Sequence, residues 1–193
     1  MKKLLFFVLM EMILPIQLYA FKVGSFEYNI NSDNSTVTIT KADGVELTGK
    51  LEIPSQVTYE GKDYAVTIIG WNGFADMGVT EIYIPSSVTQ IMQYAFSGCA
   101  QLEKVNLPPY LTSLNSRVFY DCDKLSTIES HIFFPINFTS NVFTDSQYAN
   151  ATLYVPTNSL DKYKAAENWS KFAHVVEMDM DDVDSNMFTF EVT

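Results

Sequence analysis

Histidine and cysteine are scarce in this chain, which has two of each among its 193 residues. His131 and His174 have no second histidine and no cysteine at the spacing of a zinc site, so no metal-ligating residue is predicted. A serine or cysteine nucleophile would need one of these histidines as its base, and neither is placed for that role. We therefore predict no catalytic, metal-binding or cofactor-binding residue, no cofactor and no enzymatic activity.

Basic side chains are also few. The chain has 12 lysines and arginines against 23 aspartates and glutamates, and its net charge is −11. Binding to nucleic acid requires clustered basic side chains, and attraction to an anionic membrane surface requires them as well. We expect neither partner, and the acidity suits a soluble exported protein.

A hydrophobic run long enough to span a membrane is missing as well. Two lysines begin the N-terminus, and Glu11 and Pro15 interrupt the apolar stretch that follows, whereas a spanning helix needs roughly 20 apolar residues. Residues 1–20, which end in the small residue Ala20, are predicted to be a secretory signal peptide. Its removal leaves 10 basic and 22 acidic side chains, a net charge of −12. We expect a secreted or cell-surface protein with no membrane insertion after cleavage; a retained N-terminal anchor is the alternative.

The centre of the chain contains a repeat of 23 residues. A shift by that distance places Phe96 on Phe119 and Cys99 on Cys122, and it aligns Phe134 with apolar positions of the preceding repeats. A period in the twenties with apolar residues at this spacing predicts a leucine-rich repeat solenoid, in which each coil buries its apolar face on the next. The predicted core includes Phe96, Phe119, Leu102, Leu125, Val105 and Leu107.

The two cysteines occupy the same F-x-x-C position of successive repeats, a position that faces inward in such coils. Stacked coils place equivalent residues about 4.8 Å apart, so the geometry permits a disulfide bond. We favour two buried free thiols that pack as small hydrophobic groups. A bond between Cys99 and Cys122 is the alternative.

The predicted fold class is a β-rich, right-handed leucine-rich repeat solenoid with a short irregular convex side. Residues 21–66 are predicted to form an N-terminal β-hairpin cap with a degenerate first repeat, because apolar residues alternate on both sides of turn sequences. Residues 67–156 contain the repeats. Residues 157–178 are predicted to form a C-terminal capping helix, because apolar residues between 160 and 172 recur at helical spacing, and residues 179–193 form an acidic tail.

Three sequence motifs resemble those of the BspA-like leucine-rich repeat family of bacterial surface proteins. They are IIGWNGF at residues 68–74, MQYAFSGC at 92–99 and VNLP at 105–108. The resemblance implies an exported solenoid, often engaged in adhesion or host contact. It implies no catalytic residue that could be assigned to this chain.

A candidate binding face follows from aligning the strands on their terminal prolines. The two outward-facing rows contain Glu52, Tyr83, Asn106, Glu129 and Tyr154, and Lys50, Glu81, Lys104, Thr127 and Thr152. We hypothesise that Tyr83, Asn106, Glu129 and Tyr154 contact an extracellular protein or glycan, because large amphipathic side chains are enriched where proteins bind. In the alternative the rows only keep the sheet soluble and in register, and the protein is a structural spacer or surface-layer component without a dedicated ligand.

Overall fold

The structure is a computed structural model that describes residues 20–139 and 141–178. The predicted signal peptide, except Ala20, and the predicted acidic tail at 179–193 lie outside the described residues. The described strands are β1 (Ala20–Val23), β2 (Phe26–Ile30), β3 (Thr36–Lys41), β4 (Thr48–Glu52), β5 (Gln56–Tyr59), β6 (Lys62–Ile69), β7 (Gly78–Tyr83), β8 (Gln90–Ile91), β9 (Lys104–Leu107), β10 (Ser113–Leu114), β11 (Thr127–Ser130), β12 (Thr152–Val155) and β13 (His174–Glu177). Two short helices, α1 (Asp145–Asn150) and α2 (Leu160–Ala165), and a 3-10 turn (Trp169–Lys171) complete them.

Two open sheets enclose the core. The six-stranded sheet is parallel throughout, in the order β13-β12-β11-β9-β7-β4. The seven-stranded sheet has the order β1-β2-β3-β6-β8-β10, with β5 paired to β6. Its hairpins β2–β3 and β5–β6 are antiparallel, as the alternating sequence pattern predicted.

The strand register confirms the repeat that the sequence predicted. On the six-stranded sheet Ile82 pairs with Val105, Val105 with Ile128, and Ile128 with Leu153. All four side chains are buried. Because a slip by one residue would turn every apolar side chain of a strand to the solvent, the apolar pattern determines this register.

A column of phenylalanines runs through the stacked coils. The rings of Phe74, Phe96, Phe119 and Phe143 stack with centroid separations of 5.8, 5.9 and 5.4 Å. Each ring is at most 2% exposed, and the predicted core residues are buried as well. At the N-terminal end Phe26 of the hairpin packs edge-on against Phe74. The column therefore continues across the coils as a single core, and truncation of an inner ring would cost roughly 3–5 kcal/mol.

Both cysteines are free and buried, which confirms the favoured interpretation. The thiol of Cys99 donates to the carbonyl of Phe74 at 3.2 Å, and that of Cys122 donates to the carbonyl of Phe96 at 3.1 Å. The neighbouring Cys99 thiol, together with burial, raises the pKa of Cys122. In the next coil Gln147 takes this role, because its side-chain amide donates to the carbonyl of Phe119 at 3.1 Å.

The capping helix predicted within residues 157–178 is shorter than the helical spacing of residues 160–172 indicated. Helix α2 ends at Ala165, and Ala166 is extended with φ −81° and ψ 134°. Asn168 then adopts a left-handed φ of 67°, which turns Trp169 into the core. The Trp169 indole N–H donates to the carbonyl of Ile136 at 2.7 Å. The chain continues into β13, which adds a sixth strand to the parallel sheet.

The alignment of Phe134 with buried positions of earlier coils is also wrong, because its side chain is 71% exposed. Ile132 is the buried residue of this loop. The strand that precedes it ends in Ser130, where the equivalent position of β9 carries Leu107. The Tyr163 hydroxyl lies 2.5 Å from the Ser130 hydroxyl and donates to the carbonyl of Ile132 at 2.7 Å. This polar contact holds the loop inward at Ile132 and leaves Phe134 outside.

Candidate binding surface

The outer face of the six-stranded sheet contains the two predicted rows. Lys50 pairs in register with Glu81, and Glu81 with Lys104. Glu129 pairs with Tyr154 in the other row. Strand β13, which sequence reasoning missed, extends the rows with His174 and Val176, and Val176 is 46% exposed.

Asn106 does not belong to the accessible face, contrary to its predicted place in an outward-facing row: only 3% of the residue is exposed. Strands β7 and β9 pair at Glu81–Lys104 and Ile82–Val105 and then separate. Beyond that point the Asn106 side chain accepts from the N–H of Ile84 at 2.7 Å and donates to its carbonyl at 2.8 Å. The carboxamide thus replaces the missing ladder hydrogen bonds and is occupied inside the fold.

Tyr83 lies half-buried beside charged neighbours. The Nζ atom of Lys50 is 4.0 Å from its ring centroid, a cation–π distance. Its hydroxyl donates to a carboxylate oxygen of Glu81 at 3.4 Å. These contacts restrict the tyrosine to one orientation, which reduces the entropy that a ligand must remove on binding.

Glu129 pairs with Lys104 across neighbouring strands, and their charged atoms are 2.7 Å apart. Burial alone would lower the pKa of Lys104, but the hydrogen bond and the charge of Glu129 outweigh it and raise that pKa. Both side chains retain partial exposure, 32% for Lys104 and 25% for Glu129. The pair therefore offers a fixed dipole on the face.

Tyr154 is half-buried on β12, next to Glu129 in register. Within the described ranges its hydroxyl has no hydrogen-bond partner. A phenol hydroxyl both donates and accepts, so Tyr154 can bind either kind of polar group on a ligand.

Exposed aromatic side chains also follow the ends of β9 and β11, and they are here called the exit patch. It contains Tyr110 and Phe134, which are 68% and 71% exposed, and Phe133, which is 42% exposed. The two phenylalanine rings contact edge to face at 5.0 Å, and the Nζ atom of Lys162 lies 4.3 Å from the Phe133 centroid. The repeat itself contained the signal, because Tyr110 and Phe133 are 23 residues apart.

Over residues 20–139 and 141–178, no three histidine, cysteine, aspartate or glutamate side chains group as a metal ion would require. No described helix is long and apolar enough to cross a membrane. A shallow cleft of about 420 Å³ between residues 112–116 and 137–139 contains no titratable side chain.

Comparison with known proteins places the chain among repeat proteins. The family model described as BspA type leucine rich repeat region matches residues 67–190 in six copies. A leucine-rich repeat protein from Bacteroides capillosus superposes with a TM-score of 0.60 at 27% identity, covering 70% of this chain and 97% of the other. A leucine-rich repeat protein from Bacteroides ovatus gives 0.54 at 23% identity, covering 81% of this chain and 41% of the other.

The T. pallidum leucine-rich repeat protein also gives a TM-score of 0.54, at 19% identity, covering 79% of this chain and 80% of its own. These last two likenesses concern the fold alone. A search of curated proteins returned no match.

Proposed function

Because the chain belongs to the BspA-type leucine-rich repeat family, we propose that it is an exported, non-enzymatic module that binds an extracellular protein or glycan. The binding surface is the outer face of the six-stranded sheet. The observation that carries this proposal is the placement of Tyr83 and Tyr154 on one face of a rigid parallel sheet, with Glu129 between them. Solenoids commonly bind partners on such extended faces.

The spacing of the two tyrosines indicates the size of the ligand. Tyr83 lies on β7 and Tyr154 on β12, with β9 and β11 between them. Neighbouring paired strands are about 4.8 Å apart, and β7 and β9 diverge beside Tyr83, so the two residues are separated by at least about 14 Å. A single sugar or amino acid cannot contact both. The ligand is therefore an extended polymer, either a protein segment of several residues or an oligosaccharide.

To test binding at this face, the protein is applied to arrays of extracellular-matrix proteins and glycans. The affinity for the strongest ligand is then measured by titration. The double variant Tyr83→Ala/Tyr154→Ala is expected to lose at least tenfold in affinity, about 1.4 kcal/mol, while its melting temperature stays nearly unchanged. Val23→Ala is the control, because it truncates an exposed apolar side chain of β1 on the other sheet. Equal affinity of the double variant and the parent would place the site elsewhere, with the exit patch as the next candidate.

A structural spacer without a dedicated ligand is the second candidate. The alternating charges of Lys50, Glu81 and Lys104 favour it, since such a row aids strand pairing without any partner. Absence of binding on every array would support this function. Export is tested separately by N-terminal sequencing of the secreted chain, which is expected to begin at Phe21.

A further inference from the structure

A second surface lies on the turns that lead from the seven-stranded sheet back to the six-stranded sheet. Trp71, Tyr94, Arg117 and Tyr120 come from three successive coils and form what we call the convex patch. Backbone hydrogen bonds stack these turns directly, for example from the N–H of Tyr94 to the carbonyl of Ser116 at 3.3 Å. Residues up to 49 positions apart in the sequence thus share one surface.

The composition of the convex patch is that of an interaction hot spot. Trp71 is 63% exposed, Tyr120 is 44% exposed, and Arg117, also exposed, is the only arginine of the chain. Tryptophan, tyrosine and arginine are the residue types that contribute most to protein–protein binding. Within the described residues, the indole N–H of Trp71 has no hydrogen-bond partner and its ring has no aromatic or cationic neighbour.

Part of the convex patch already binds a cation within the chain. The Arg117 guanidinium donates to the Tyr94 hydroxyl, and it lies 5.6 Å from the Tyr94 ring centroid and 5.8 Å from that of Tyr120. Both distances are within the cation–π range. The arrangement holds the two tyrosines in place and leaves Trp71 as the free aromatic surface.

Two residues of the convex patch have a backbone conformation that is unfavourable for their side chains. Tyr94 and Arg117 have φ values of 59° and 57°, in the left-handed region that is costly for side chains of this size. Asn72 occupies the equivalent position one coil earlier with φ 51°, and asparagine tolerates this conformation. Turn stability alone would favour asparagine or glycine at all three positions.

Acidic side chains outnumber basic ones beside the convex patch, where Arg117 and Lys124 are also exposed. Asp76 and Asp121 are exposed at equivalent positions of two coils, about 10 Å apart by coil spacing, and Asp123 is exposed nearby. None of the three forms an ion pair with a described residue. We propose that the convex patch binds a basic protein segment, with one arginine or lysine stacked on Trp71 and others paired with Asp76 and Asp121. This surface is separate from the outer face of the six-stranded sheet.

The probe for this proposal is a synthetic peptide of alternating arginine and glycine. Its binding to the protein is measured by fluorescence anisotropy. Trp169 is fully buried, so quenching of tryptophan emission on binding reports on Trp71. We expect Trp71→Ala to raise the Kd at least tenfold and to abolish the quenching. The charge variant Asp76→Asn/Asp121→Asn is expected to raise the Kd by a similar factor.

A charge-matched control separates recognition from general attraction to an acidic protein. Asp43→Asn/Glu46→Gln removes two charges from an exposed loop elsewhere and is expected to change the Kd less than twofold. The proposal would be overturned if the two charge variants weakened peptide binding equally, or if the peptide did not bind. Preference for a glutamate–glycine peptide or an acidic glycan would overturn it as well. Tyr83→Ala/Tyr154→Ala is expected to leave peptide binding unchanged, so this test is independent of the sheet face.

Discussion

Replacement of Asn106 by alanine tests whether its side chain completes the fold where β7 and β9 separate. The parent carboxamide accepts from the N–H of Ile84 and donates to its carbonyl, at 2.7 and 2.8 Å. Ile84 is 1% exposed, so water cannot readily replace either contact. A buried donor or acceptor left without a partner costs about 1–3 kcal/mol. Two groups of Ile84 lose their partner, so we expect a total loss of about 2–6 kcal/mol.

The assay is urea denaturation followed by circular dichroism, with unfolding free energies compared at constant m value. For a domain of this size the loss corresponds to a fall in melting temperature of roughly 4–24 °C. Thr127→Ala, on a neighbouring strand of the same face, is the control and is expected to change stability by less than about 0.5 kcal/mol. If Asn106→Ala also changed the unfolding free energy by less than about 0.5 kcal/mol, the proposed role of the carboxamide would be refuted.

The variant Asn106→Asp separates hydrogen bonding from packing, because it keeps the side-chain volume. Its ionised carboxylate can accept from the N–H of Ile84 but would repel the carbonyl, whereas the protonated acid can donate to that carbonyl. Folding therefore favours the protonated form and raises the pKa of the new acid. The hydrogen bond from the protonated acid stabilises the folded state below about pH 4, and this stabilisation is lost as the pH rises. We expect the deficit of this variant to shrink on acidification; a deficit that does not depend on pH would argue against the geometry.

Two further predictions follow from buried groups. The Tyr148 hydroxyl is buried without a partner in the described chain, and burial raises its pKa to about 12; because the unfolded tyrosine ionises near pH 10, stability should fall between about pH 10 and 12. Thermal melts of Tyr148→Phe should show a smaller fall over that range, and identical pH profiles would contradict the assignment. Denatured, unreduced protein should react with two equivalents of a thiol reagent and native protein with almost none, since Cys99 and Cys122 are free and buried. Absence of reaction after denaturation would instead establish a disulfide bond.

Sequence periodicity was sufficient to predict the repeat and its core. The stacked phenylalanines, Phe96 and Phe119 among them, recur every 22 to 24 residues, and each coil can bury its apolar face only against the next. That constraint acts at every coil, so the register of Val105 against Ile128 follows from the period alone. The outward rows followed as well, since side chains alternate along a strand.

Only the tertiary structure determined which members of those rows are accessible. Asn106 and Glu129 have the same place in the repeat, yet Asn106 is buried because β7 and β9 diverge beside it. The divergence of two strands depends on how the whole coils pack, so the repeat period of the sequence does not reveal it.

The structure of the C-terminal segment also could not be predicted from the sequence pattern alone. Residues 160–172 have helical spacing, but Trp169 gains more by entering the core beside Phe143 and donating to Ile136 than by remaining on a helix. Short helices depend on tertiary packing for most of their stability, so the packing of the core determines where α2 ends.

The convex patch likewise exists only in the folded stack of coils. Trp71, Tyr94 and Arg117 are distant in sequence, and the hydrogen bonds between successive turns bring them onto one surface.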